Sequence, residues 1–180
     1  MSTSQHKRPS LAPIEEIALC VEVERRPGIT RWQRFVWRPC ALRPGHENLA
    51  PWTLLARDGE HERYFAGNAT VVLHRADTQV LKDNLESRTP SIYVVLRKAA
   101  PGANWTLLLV TADPSAAHAH ADVGGDLVEA LPMPEAIQCR LSAFIARRHV
   151  ERPYWKRHRD IADPGALGAR RREGVHHAKS

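Results

Sequence analysis

Several features common in small proteins are missing from this chain of 180 residues. Its three cysteines, Cys20, Cys40 and Cys139, are odd in number and widely spaced, with no Cys-x-x-Cys pair among them. That excludes a disulfide framework and the usual zinc or iron–sulfur spacings, and Cys20 and Cys40, set in apolar stretches, are expected to be buried, inert thiols. No apolar run approaches the roughly 18 residues that a membrane-crossing helix requires. The opening MSTSQHKRPSLAPIEE also lacks the apolar core of a signal peptide. A cytoplasmic protein without membrane attachment is the expectation. Neither Gly-x-x-x-x-Gly-Lys-Ser/Thr nor Gly-x-Gly-x-x-Gly occurs, so the two common phosphate-cradling loops are not encoded. The nearest glycine cluster, DVGGDL at 122–127, reads as a turn before a strand. Gly-x-Ser-x-Gly is absent and no cysteine adjoins a histidine, which removes the familiar nucleophile arrangements.

What is present suits one globular domain with tails. The apolar fraction is 43% and the charged fraction 26%, near the globular average, and a chain of this length can bury a sizeable core. Thirteen prolines against ten glycines indicate many short, rigid connections. Residues 1–15 are polar and proline-punctuated and are expected to be disordered; 16–150 are expected to form a single domain; 151–180 form a basic tail, ordered only near 151–159. The charge is unevenly placed. Residues 147–180 hold ten Lys or Arg against four acids, so they carry the whole net charge of +6, and the preceding residues balance at sixteen of each sign.

Hydrophobic periodicity predicts mostly strands. Ile17–Arg26 alternates Val21 and Val23 against Glu22 and Glu24, the period of a half-buried strand, and should stop at Pro27-Gly28. TRWQRFVWRPCAL is read as an extended segment that Pro39 either breaks or confines to a sheet edge. From Trp52 to Arg75, strands are expected on either side of an Asp58-Gly59 turn and again of a Gly67-Asn68 turn. Val80, Leu81 and Leu85 recur at helical spacing within 76–87. SIYVVLRK and NWTLLLVTAD, joined by a turn at Pro101-Gly102, are the most apolar strands and should lie at the centre of the sheet. A short helix over Pro114–Ala121 and a strand near Leu127–Ala130 follow. The last element is an amphipathic helix with Pro134 in its first turn and Ile137, Leu141, Phe144 and Ile145 in one stripe. The expectation is an α+β fold: a mostly antiparallel curved sheet or partial barrel of about seven strands, closed by the C-terminal amphipathic helix. The linkers are too short for parallel winding.

Candidate chemistry is sparse. His118, His120 and Asp122 would share one face of a strand but fan apart on the helix expected there, and His176-His177 has no third ligand nearby. His74, at a strand end, is a conceivable base but reads better as a capping or hydrogen-bonded structural histidine. No catalytic residue, cofactor or metal site is assigned. The concentrated feature is HVERPYWKRHR. Lys156, Arg157 and Arg159, with Tyr154 and Trp155, could neutralise phosphates while the rings stack on bases. Pro153 and Pro164 interrupt any long membrane-surface helix. A docking epitope for a protein, with Trp155 as its anchor, fits best, and Trp32, Trp37 and Arg38 are expected to shape a contact surface on the body.

The ordered blocks VERRPGITRWQRFVWRPCAL, RYFAGNATVVLHRADTQVLKDNLES, PSIYVVLRK, LLLVTADPSAA, LPMPEAI and HVERPYWKRHR resemble a proteobacterial family with a domain of unknown function. Its genes lie beside those of molybdenum-dependent formate dehydrogenases. The resemblance runs from about Val21 to Arg159. It implies a non-catalytic accessory protein for assembly of that enzyme or insertion of its molybdenum cofactor, with a formate dehydrogenase subunit or its maturation proteins as partners. The alternatives are a nucleic-acid-binding regulator of the same operon and a nucleotidyltransferase acting on molybdenum cofactor. Some members are labelled molybdenum-cofactor guanylyltransferase-like, which implies a glycine-rich nucleotide loop near the N-terminus. CVEVERRPGITRW stands there in this chain.

Overall fold

The structure is a computed structural model and describes residues 15–148 apart from 31, 33, 99–103 and 123. The expected N-terminal and C-terminal tails and the Pro101-Gly102 turn lie outside the described residues. In chain order the elements are β1 (Glu15–Pro27), β2 (Phe35–Pro44), β3 (Thr53–Asp58), β4 (His61–Leu73), a 3-10 turn (Arg75–Asp77) and α1 (Thr78–Leu85). They continue with β5 (Ser91–Lys98), β6 (Trp105–Thr111), α2 (Pro114–Ala121), β7 (Asp126–Pro132) and α3 (Glu135–Arg148).

The fold is α+β, and all five strand pairings are antiparallel. Among the described residues seven strands fall into two sheets, ordered β2-β1-β4-β3 and β6-β5-β7, where one curved sheet or partial barrel was expected. β1 is the spine. It pairs with β2 from Leu19 to Pro27 on one side and with β4 from Glu15 to Arg25 on the other. Its alternation sends Ile17, Leu19, Val21 and Val23 to one face, where each is at most 1% exposed. These side chains share a core with Ile92, Val94 and Leu96 of β5 and with Val110 of β6 and Leu131 of β7. Full burial of each such side chain stabilises by about 1.5–3 kcal/mol.

Two local readings change and a third is decided. Gly67 and Asn68 do not turn the chain, because β4 is continuous. Val21 pairs with Gly67 and Glu22 with Phe65, so Ala66 is the extra residue of a bulge, and Gly67 supplies the φ of +147° needed there. Asn68 instead clamps the loop after β2: its amide donates to the Glu47 carbonyl at 2.8 Å, and its oxygen accepts from the Glu47 N–H at 2.9 Å. β6 is an edge strand, where a central one was expected, with Leu108 exposed. Pro39 takes the edge option: β2 pairs only with β1, and Cys40 forms a bulge beside the proline.

α1 and α3 close one end of the core. In α3, Ile137, Leu141, Phe144 and Ile145 are buried as the stripe required, and Arg147 reaches Glu15 at the start of β1 (2.7 Å). Arg140 donates to the Glu16 carbonyl at 2.9 Å. α1 buries Leu81 and Asn84. The Asn84 amide donates to the carbonyls of Ser91 (2.8 Å) and Ala112 (2.7 Å), while its oxygen accepts from the Ser91 N–H (3.1 Å), tying α1 to β5 and to the end of β6. α2 begins at Pro114 with Asp113 as its cap, accepting from the Ser115 N–H.

Two stability predictions follow from these contacts. Asn84→Ala strands buried backbone groups and should lower unfolding stability by about 2–4 kcal/mol, read as an unchanged urea slope with a lower midpoint. Asp126 is gripped by Arg97 at 2.7 and 2.6 Å, and His120 lies 3.1 Å away. The Arg97 hydrogen bonds pull its carboxyl from 3.8 down to about 2 against the opposing effect of burial, with His120 contributing. A depressed folded value contributes stability that is complete above about pH 4 and is lost as the pH falls towards 2. Asp126→Asn should therefore flatten the acid limb of the stability curve in that window, and an equally steep limb in the variant would refute the assignment.

Candidate functional site

The end of the core opposite α3 is built differently. On β1 the residue that follows Ile17, Leu19, Val21 and Val23 on the inward face is Arg25, flanked by Trp37 of β2 and Glu62 of β4. On the other sheet the inward row Ile92, Val94, Leu96 is followed by Lys98, which pairs with Trp105. The two sheets thus present rings and cations where the core would otherwise continue. They border a cleft of about 640 Å³ lined by Arg25, Trp37, Tyr64, Lys98, Asn104 and Trp105, with Pro51 and Trp52 from the loop before β3. Three of the chain's five tryptophans line it.

Its rings interlock. Trp37 meets Trp52 edge to face at 5.9 Å and 86°, and Tyr64 at 5.5 Å and 39°. Trp37, Trp52 and Trp105 also pack against the core, so they have little freedom to shift. The Arg25 guanidinium lies 4.2 Å from the centre of the Phe35 ring, and the Lys98 ammonium 4.7 Å from that of Trp105. Among the described residues Lys98 has no carboxylate partner.

Trp52 carries backbone strain. The turn Ala50–Thr53 is closed by the Thr53 N–H on the Ala50 carbonyl at 3.2 Å, with Pro51 at its second position and Trp52 at its third with φ +66°. This is the type II pattern, whose third position favours glycine. Trp52 is the one non-glycine residue with positive φ among those described. A bulky side chain in that region costs on the order of 1–3 kcal/mol.

Glu62 organises the charges. It is 6% exposed and accepts from the Tyr64 hydroxyl, while Arg25 and Arg57 pair with it, Arg57 at 2.8 Å. The Tyr64 hydrogen bond, opposed by burial and aided by Arg25 and Arg57, holds its carboxyl below the ordinary 4.5. Burial and Glu62 together raise the Tyr64 phenol. Glu62 is therefore a fixed anion that orients Arg25 and Tyr64, and its shift is away from the neutral range where a general acid or base works. Two donors remain unmatched: among the described residues the buried Arg25 Nε and Trp105 Nε1 have no hydrogen-bond acceptor. The arrangement can hold a flat group among rings and oppose negative charge.

The expected body residues separate. Trp37 lines the cleft, whereas Trp32 stands beyond the hairpin end at 97% exposure with Ile29 at 102%. Arg38, on the alternate face of β2, donates to Glu129 of β7 at 2.7 and 3.0 Å and so bridges the two sheets. Tyr154, Trp155, Lys156, Arg157 and Arg159 lie outside the described residues. Arg25, Trp52, Tyr64, Lys98 and Trp105 were missed; the legible signal was ring and cation residues at strand ends.

Of the other candidates, His118 is exposed beside Tyr93 and His120 is committed to Asp126. His74 makes no capping hydrogen bond, and its buried Nδ1 is unpartnered, contrary to the hydrogen-bonded role expected of it. Cys20 is buried; Cys40 is half-buried, and desolvation pushes its thiol up to about 11; Cys139 is exposed on α3. Among the described residues no three His, Cys, Asp or Glu side chains converge as metal ligands, and no helix is long and apolar enough to cross a membrane.

Fold and site together define an α+β domain of two antiparallel sheets, closed by helices at one end and opening at the other into an aromatic cleft with a cationic rim. The chain belongs to the family described as "Protein of unknown function (DUF3305)", whose profile matches residues 17–159. No curated protein and no solved structure matches it.

The strain at Trp52 is directly testable. Trp52→Gly and Trp52→Ala both delete the ring, but alanine keeps the left-handed penalty. Trp52→Ala should be less stable than Trp52→Gly by about 1 kcal/mol, reversing the order expected of an ordinary strand position, as measured by urea unfolding.

Proposed function

We propose that this protein is a non-catalytic accessory factor for assembly of a molybdenum-dependent formate dehydrogenase, acting during insertion of its molybdenum cofactor. In this reading it docks on a subunit of that enzyme or on one of its maturation proteins. The observation that carries the docking role is the end of the β1–β2 hairpin. Ile29 and Trp32 project there with essentially their whole side chains exposed, and a pair of large apolar groups so placed is the kind of anchor that dominates protein interfaces. The identity of the partner rests on the resemblance between the ordered sequence blocks and a family encoded beside such enzymes. Trp37 and Arg38 continue the body surface along β2, and Tyr154, Trp155, Lys156, Arg157 and Arg159 supply a second, basic contact. A binding role also suits Glu62, which is held ionised between its donors, away from proton-transfer range.

The test is affinity purification of the tagged protein from cells making the enzyme, paired with a molybdenum assay of formate dehydrogenase from a deletion strain. The wild type should co-purify with the enzyme or a maturation protein. The double variant Ile29→Ser, Trp32→Ser should lose that association, since truncating one buried anchor typically costs about 2 kcal/mol or more of binding. Normal molybdenum content and activity in the deletion strain would overturn the reading.

A further inference from the structure

The hairpin end has no use for the cleft, whose chemistry points elsewhere. Four properties coincide there. Aromatic faces from Trp37, Trp52, Tyr64 and Trp105 are held by packing and by a strained turn. The Lys98 ammonium has no carboxylate partner among the described residues and rests on the Trp105 ring from a flexible stem. Arg25 is fixed by Glu62 but leaves its Nε without an acceptor, and the Trp105 indole N–H is likewise buried and unmatched. The volume of about 640 Å³ lies within the roughly 300–1,000 Å³ of small-molecule sites.

These groups state what would complement them. The guanidinium and ammonium groups can only donate, so the complementary ligand must be rich in acceptors. With Glu62 answered by Arg25 and Arg57, Lys98 adds uncompensated positive charge, so the ligand should carry an anion. The rings call for a planar, stackable body, and stacking on aromatic side chains is tolerant of which base is presented. We propose that the cleft is a nucleotide-binding site. The base stacks among Trp37, Trp52 and Trp105, and the phosphate draws the Lys98 ammonium off the ring toward the Arg25 side. A free nucleotide and one unit of a single strand share this chemistry.

The test uses the full chain labelled with nitrogen-15, in which each tryptophan gives one indole N–H resonance and Trp105→Phe identifies that of Trp105. AMP, GMP, CMP and UMP are titrated separately, beside a ten-nucleotide single strand, adenosine and inorganic phosphate. At least one nucleotide or the strand should shift the Trp105 resonance saturably, with a dissociation constant of roughly 1 mM or tighter, and adenosine or phosphate alone should bind at least about tenfold more weakly, because each lacks half of the complement. Lys98→Glu should weaken binding about tenfold and Lys98→Arg should restore it; Lys98 is exposed at a strand end, so both should fold. If the strand binds well beyond a mononucleotide, with the shift still lost in Lys98→Glu, the source is nucleic acid; comparable affinity assigns a free nucleotide. The proposal fails if no nucleotide or strand moves the Trp105 resonance, or if binding is indifferent to Lys98→Glu, which would place any contact outside the cleft.

Discussion

The structure turns on the length of β1. It is a thirteen-residue strand paired with β4 from Glu15 to Arg25 and with β2 from Leu19 to Pro27, and its inward face is apolar only as far as Val23. Arg25 then takes the position where a further core residue would stand. A guanidinium facing a protein interior without a partner costs several kcal/mol. Glu62, directly across on β4, supplies that partner, and Tyr64 and Arg57 hold Glu62 in turn. The second sheet makes the same change of character, from Leu96 to Lys98. Both sheets therefore stop being hydrophobic at the same level, and the half-buried tryptophans cover the seam, each with one side on the core and one on the cleft.

At the opposite end, roughly 33 Å away along β1 at about 3.3 Å per residue, the same problem has the ordinary solution. Glu15 is met by Arg140 and Arg147 of α3, and the α3 stripe continues the core over the strand ends. Closure there rests on polar groups that are matched. Asn84 uses both its amide protons and its oxygen. The bulges of β2 and β4 both fall beside the middle of β1, at Cys40 and Ala66. Such bulges bend and twist the strands that carry them.

Local chemistry was readable in the sequence, and long-range pairing was not. α2 begins and ends where Asp113-Pro114 and the alanine-rich run predict, the α3 stripe is buried residue for residue, and Gly59 turns the β3–β4 hairpin with φ +59°. Each of these is decided within a few residues. Gly67-Asn68 has the composition of a hairpin turn, yet the glycine sits in a bulge and the asparagine binds Glu47. The same conformational freedom and side-chain donors serve either purpose, and only the register with β1 selects between them. The edge position of β6 and the division into two sheets are likewise set by which strands meet. Trp32 and Trp37 read alike in the sequence, but the hairpin exposes one and seats the other. Arg25 looked like the polar end of a strand because its partners come from β2 and β4.

Buried nitrogens without acceptors occur at three places among the described residues, Arg25, His74 and Trp105. His74 follows the end of β4 at the helical end of the core, far along the strand from the cleft, so an unmatched nitrogen alone does not mark a site. What sets the cleft apart is coincidence. Two of the three unmatched nitrogens belong to residues that line it, together with the positive φ of Trp52 and an ammonium that, among the described residues, rests on an aromatic ring without a carboxylate. The unmatched donors and the strained φ oppose folding stability, and the fold elsewhere shows the means to avoid such groups: Glu22 is met by Arg43 and Arg63, Glu15 by Arg140 and Arg147. A chain that matches its charges so consistently across one sheet, and leaves donors, strain and rings together at the open end of its core, has the pattern of a site completed by something other than itself.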